Sequence, residues 1–141
     1  MKTLIRGEKV KLADYTNMLQ LEVEVSIKAP FEIDFTCFGL NEQRHLQDDR
    51  YMVFYNQLQS PHNEIRIQNE HQKSKFTIDL SKLPPTVPYL VFTATIDGNE
   101  TMNKIETGSF VVKANNSILM HYQFSPTDFQ QQKAIIMGEI Y

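Results

Sequence analysis

The stretch LEVEVSIK, Leu21 to Lys28, constrains this chain's fold more than any other. Leu21, Val23, Val25 and Ile27 alternate with Glu22, Glu24, Ser26 and Lys28, the period of a strand with one buried face. After Ala29 and Pro30 the run FEIDFTCF repeats the pattern, with Phe31, Ile33, Phe35 and Cys37 set against Glu32, Asp34 and Thr36. Further β-rich runs are YMVFYNQ, EIRIQ, KFTIDL, YLVFTATI, SFVVKA, ILMHYQF and AIIMGEIY. Turn-forming stretches such as SPHN, SKLPPTVP, DGN, ANNS and SPTDF punctuate them. The runs make nine strands, ten if IRGEKVKL pairs at the start.

No window sustains a 3.6-residue period; one or two helical turns are expected at Ser125, with serine as N-cap and Pro126 in the first position. Many short strands without intervening helices predict an all-β fold, an antiparallel two-sheet β-sandwich of about nine strands, in one domain over residues 1–141. Alternation assigns Val23, Val25, Ile33, Phe35, Val53, Tyr55, Phe92, Ile96 and Ile135 to its interior. YMVFYN and YLVFTATI carry apolar residues at both parities and are expected to be interior strands.

The net charge is −3, and the densest basic stretches, KVK and KSK, are too short to track a phosphate backbone. Nucleic acid is therefore not expected as a partner. The single Cys37 sits in an apolar run, where a thiol fills a core, and it fits a reducing compartment. Arg6, Glu8, Lys9 and Lys11 interrupt any signal-like stretch, and no apolar run approaches the roughly 20 residues that span a bilayer. The expectation is a cytoplasmic protein without direct membrane insertion.

Chemistry is sparse. His45, His62, His71 and His121 lie far apart without metal-ligand spacing and read as surface residues. No P-loop, nucleophile elbow or dinucleotide fingerprint is present, so no enzyme is expected. A small hydrolase on a sandwich scaffold is the competing reading, and a buried, convergent acid–base pair would mark it. The acids that invite attention are Asp34, on the polar side of its strand, and the doublet Asp48–Asp49 just before YMVFYN. Loops gather at the ends of a sandwich, where roughly six to eight oxygens can hold Ca²⁺. Alternatively, the doublet forms a turn through local backbone hydrogen bonds and then faces water. Asp97 heads a turn with Gly98 and Asn99, while Asn56 and Gln57 are placed to meet backbone groups where the strand leaves its sheet.

FGLN at 38–41, DDRYMVFYNQLQSP at 48–61, FTIDLSKLPPTVPYLVFTATIDG at 76–98 and AIIMGEIY at 134–141 together resemble the TerD family of tellurite-resistance and stress-response domains. The opening IRGEKVKL is similar to that family's N-terminal strand, and DDRY to its TerA-like branch. The resemblance implies a β-sandwich and non-enzymatic work as a binding or scaffold module in stress complexes, with other Ter-type proteins as partners. It also implies Asp34, Asp48 and Asp49 as remnants of a calcium site, and a calcium-regulated adaptor as the alternative role. Calcium-binding relatives carry a GDN-containing loop and acidic run where this chain has IRIQNEHQKSKF, so no cofactor is expected. The family's usual tryptophan near the first long strand is absent, as is the segment that commonly follows GEIY as a closing strand. AIIMGEIY is therefore expected at an open edge, where a second copy would pair.

Overall fold

A computed structural model of the chain describes residues 1–141. Its strands are, in order, β1 (Lys2–Thr3), β2 (Lys9–Val10), β3 (Gln20–Lys28), β4 (Ile33–Leu40), β5 (Met52–Val53) and β6 (Ile65–Glu70). They continue with β7 (Lys73–Asp79), β8 (Tyr89–Ile96), β9 (Thr107–Ala114), β10 (Ser117–Phe124) and β11 (Ala134–Ile140). Six form a sheet in the order β1-β10-β9-β3-β7-β6, and five a second sheet, β2-β11-β8-β4-β5. All nine expected runs contribute a strand. The two additional strands come from the opening segment, and they alone pair in parallel, β1 with β10 and β2 with β11.

The alternation in LEVEVSIK is realised: Leu21, Val23, Val25 and Ile27 are buried, and the intervening polar residues look outward. Across the interior, Phe92 of β8 meets two rings of the opposite sheet. Its centroid is 5.3 Å from Phe76 of β7 and 5.5 Å from Phe110 of β9. Gly138 makes room for this contact, since a Cβ there would lie 2.6 Å from the Phe110 ring. The ANNS turn joins β9 to β10 with Asn115 and Asn116 at φ 50° and 63°, the left-handed pair that a tight hairpin requires. At the other end of β10, Ser125 precedes a single 3₁₀ turn, Pro126–Asp128, and its N–H donates to the Asp128 carboxylate at 2.7 Å.

Three expectations are corrected. YMVFYN is not an interior strand: Tyr51 belongs to a 3₁₀ turn (Asp49–Tyr51), and only Met52 and Val53 pair, at the sheet edge. The chain then reverses through a two-residue hairpin closed by reciprocal Phe54 and Gln57 backbone bonds. Tyr55 sits at that hairpin's tip, 63% exposed, rather than in the core; the other eight residues assigned to the interior are buried. AIIMGEIY is not an open edge either. β11 lies between β8 and β2, and Leu12 N–H and Tyr141 N–H extend that second ladder, so the chain's own N-terminal segment closes it.

Replacing Phe92 by alanine leaves a cavity between the sheets and is expected to cost about 3–5 kcal/mol. Tyr55→Ala, at the exposed hairpin tip, is expected to stay within about 0.5 kcal/mol of the parent. Chemical denaturation checks both; equal losses would show that the sheet register is wrong.

Candidate functional site

The acidic doublet stands at the mouth of an open polar cleft of about 660 Å³. The end of β4, the segment 41–51 and the 84–87 loop form its walls, with Asn41, Asp48, Arg50 and Thr86 among the polar groups. Asp48 N-caps the 3₁₀ turn: its Oδ1 accepts from Arg50 N–H at 3.0 Å and from Arg50 Nε at 3.0 Å. Its Oδ2 accepts from the Arg50 guanidinium at 2.8 Å. These bonds to Arg50, side-chain first, hold the Asp48 carboxyl below its ordinary range. The expectation of a turn built by local hydrogen bonds is met at Asp48, while Asp49 faces solvent. Gln57 also does as its sequence position suggested, donating to Asp49 O and Met52 O at 2.8 Å each.

What fixes this turn is a residue that sequence reading passed over. Glu64 lies in the SPHN turn region yet is fully buried. Its carboxylate accepts from Tyr51 OH at 2.5 Å, Ser60 Oγ at 2.7 Å and His62 N–H at 2.6 Å. Burial alone would raise this carboxyl, but the bonds from Tyr51, Ser60 and His62 bring it below the usual glutamate value. Tyr51 is correspondingly pushed up by burial and by the carboxylate beside it. The DRY turn is thus pinned to the loop leading into β6. The cluster pairs a carboxylate with two hydroxyls and one backbone amide, and His62 brings no imbidazole to it because its own side chain is exposed. Of the other histidines, His45 and His71 are exposed, and His121 meets Thr3 Oγ1 at 3.2 Å on β10. Cys37 is completely buried on the inner face of β4, and burial raises its thiol.

Asp34 does not join the doublet. It lies five positions before Gly39 on β4, about 16 Å along an extended strand from the cleft. Its carboxyl is raised by burial first, then by Asp97 and Glu32, a separate acidic group at the opposite end of the sheet. No three His, Cys, Asp or Glu side chains converge as a metal cage. Both Asp48 oxygens accept from Arg50 and Asp34 stands apart, so the three acids do not gather into one oxygen cage.

A second paired charge also escaped the sequence reading. Glu139 of β11 is buried on the outer face of its sheet and forms an ion pair with Arg44 from the 41–47 loop. An acid inside the otherwise uncharged run AIIMGEIY was the available signal, but its partner lies 95 positions away.

Comparison with known proteins gives a consistent picture. Residues 1–141 match the TerD domain family. The tellurium resistance protein TerA of an Alcaligenes species is 36% identical over 90 residues, 64% of this chain. That match spans 26% of the relative, so the chain corresponds to about a quarter of its length. Among solved structures, a protein of unknown function superposes with TM-score 0.67 at 14% identity, covering 88% of this chain and 81% of the other. A homologue of the telluride resistance protein TerD from Streptomyces coelicolor A3(2) gives TM-score 0.64 at 14% identity, covering 87% and 80%. At that identity the two structures speak to the fold.

Two outcomes follow from the site. Glu64→Ala strands two hydroxyls and an amide and is expected to cost about 3 kcal/mol at neutral pH. Because the folded carboxyl is depressed, its stabilisation is present above the unfolded glutamate value and is lost as pH falls through the lower folded one. The variant's stability should therefore change less in acid than the parent's, and parallel pH profiles would contradict this role. In a calorimetric titration of chelator-treated protein, Ca²⁺ is expected to bind no tighter than about 10⁻⁴ M. A micromolar isotherm abolished by Asp49→Ala would overturn that reading.

Proposed function

The chain belongs to the TerD domain family, and on that premise we propose that it is a non-enzymatic binding or scaffold module of a cytoplasmic tellurium-resistance or stress-response system. The name of the TerA relative, 36% identical over 64% of this chain, supports the resistance role. The observation that carries the binding reading is the state of the acids. Asp48 is tied up by Arg50, and Glu64 is saturated by Tyr51, Ser60 and His62 and held ionised. A general acid would need its carboxyl raised toward neutrality and open to substrate, the reverse of this arrangement. The buried thiol of Cys37 suits a reducing interior. Other stress-response proteins are the partners this reading supplies.

A binding module protects by stoichiometry. In cells lacking the gene, tellurite tolerance is expected to return on expression of this chain in its natural context and to rise in proportion to its level. Purified protein should not consume tellurite. Repeated turnover of tellurite by the purified chain, abolished by Glu64→Gln, would refute the proposal and revive a catalytic one.

A further inference from the structure

The two outer faces of the sandwich differ in chemistry. On the six-stranded sheet the outward positions include Glu22, Glu24, Lys73, Lys75 and Lys113, cross-linked by Lys75–Glu22 and Lys113–Glu24 ion pairs. That is a solvated face. On β4, β8 and β11 of the five-stranded sheet, register puts Thr36, Thr93 and Ile136 in one outward row, then Phe38, Val91 and Glu139, then Leu40 and Tyr89. Tyr141 follows beside Tyr89, their ring centroids 5.8 Å apart. Ile136 is 51% and Tyr141 47% exposed, an apolar rim around one buried carboxylate.

That carboxylate sits in a cage already holding a guanidinium. Arg44 donates from one nitrogen to Glu139 Oε1, and its guanidinium carbon stands 4.2 Å from the centre of the Tyr89 ring. The other oxygen, Oε2, is buried and has no protein donor. An arginine fork ordinarily serves both oxygens of a carboxylate, and leaving one buried acceptor unmet is unfavourable. Arg44 approaches from a short loop at φ 61° and meets the cage with one arm only. The backbone bonds of that loop are internal, Asn41 N–H to His45 O and Arg44 N–H to Asn41 O, with Asn41 Oδ1 accepting from Gln43 and His45 N–H. Arg44 and the half-buried Leu46 are what hold it down.

We propose that the Glu139–Tyr89–Tyr141 cage is an arginine-receiving site, and that the outer face of the five-stranded sheet docks a partner polypeptide through an arginine flanked by apolar residues. Arg44 fills the cage in the free chain and is displaced on docking. The inference rests on the binding-module reading and names the chemistry of its partner. The partner's guanidinium engages both Glu139 oxygens and lies over Tyr89, while its neighbours cover the exposed Ile136 and Tyr141. Lysine does not substitute, because a compact ammonium neither spans both oxygens nor stacks on the ring. The cis arginine competes at high local concentration, which keeps the surface closed to arbitrary cationic segments.

The probe is the blocked tripeptide Val-Arg-Val, titrated into the full chain and followed by amide NMR. Arg44→Gln is expected to bind it about tenfold more tightly than the parent, since the internal competitor is gone. Shifts should centre on Tyr89, Val91 and Ile136, the Val-Lys-Val peptide should bind about tenfold less well, and adding Glu139→Gln should abolish binding. In the parent chain, millimolar peptide should speed hydrogen exchange in residues 42–45 as Arg44 leaves, a readout that does not depend on the variant's folding. Equal affinity in parent and Arg44→Gln, binding that survives Glu139→Gln, or unchanged exchange at 42–45 would overturn the site. So would shifts that follow protein concentration rather than peptide, which would assign the face to a second copy. Loss of tellurite protection with peptide binding intact strikes the functional reading alone.

Discussion

The meeting of Phe92 with Phe76 and Phe110 is the contact on which the rest of the structure depends. It joins the central strand of one sheet to two strands of the other, and it requires glycine at 138 so that the Phe110 ring can approach. With the sheets locked at this contact, the inner parity of every long strand is settled. The outer parity is thereby settled as well. Burial of large rings of this kind is a leading source of driving force in an all-β chain whose single cysteine allows no internal disulfide.

The long strands were legible because each carries its parity locally. LEVEVSIK needs no partner to declare which side is buried, and YLVFTATI, with both parities apolar, is indeed a central strand. YMVFYN misled for a physical reason. Tyr51 is buried to reach Glu64, whereas Tyr55, of the same parity, projects from a hairpin tip, so the alternation breaks at a turn here and the run does not carry two covered faces. The closure of β11 by β2 was hidden because a two-residue parallel pairing leaves no periodic trace.

The candidate site divides the same way. Asp48 is a local device, capping a turn two residues on, and its sequence neighbourhood was enough to suggest it. Glu64 and Glu139 are not local. Their meaning comes from Tyr51 across a hairpin and from Arg44 across most of the chain. An isolated acid in a turn or in an apolar strand states only that something must pair it. In this fold those two paired acids have opposite outlooks: Glu64 has both acceptor oxygens satisfied from within, whereas Glu139 keeps one acceptor open beneath an apolar face.

Held ionised and saturated, Glu64 acts as a structural acceptor, and the proposed binding role turns on that state. The most direct test is a carbon-13 NMR titration of the side-chain carboxyls in the intact protein. The Glu64 resonance is expected to titrate below the ordinary glutamate value, with no inflection near neutrality, as a structural acceptor must. A Glu64 carboxyl that takes up its proton near pH 6–7, where a poised general acid does, would contradict the account and return the cluster with Tyr51 and Ser60 to catalysis.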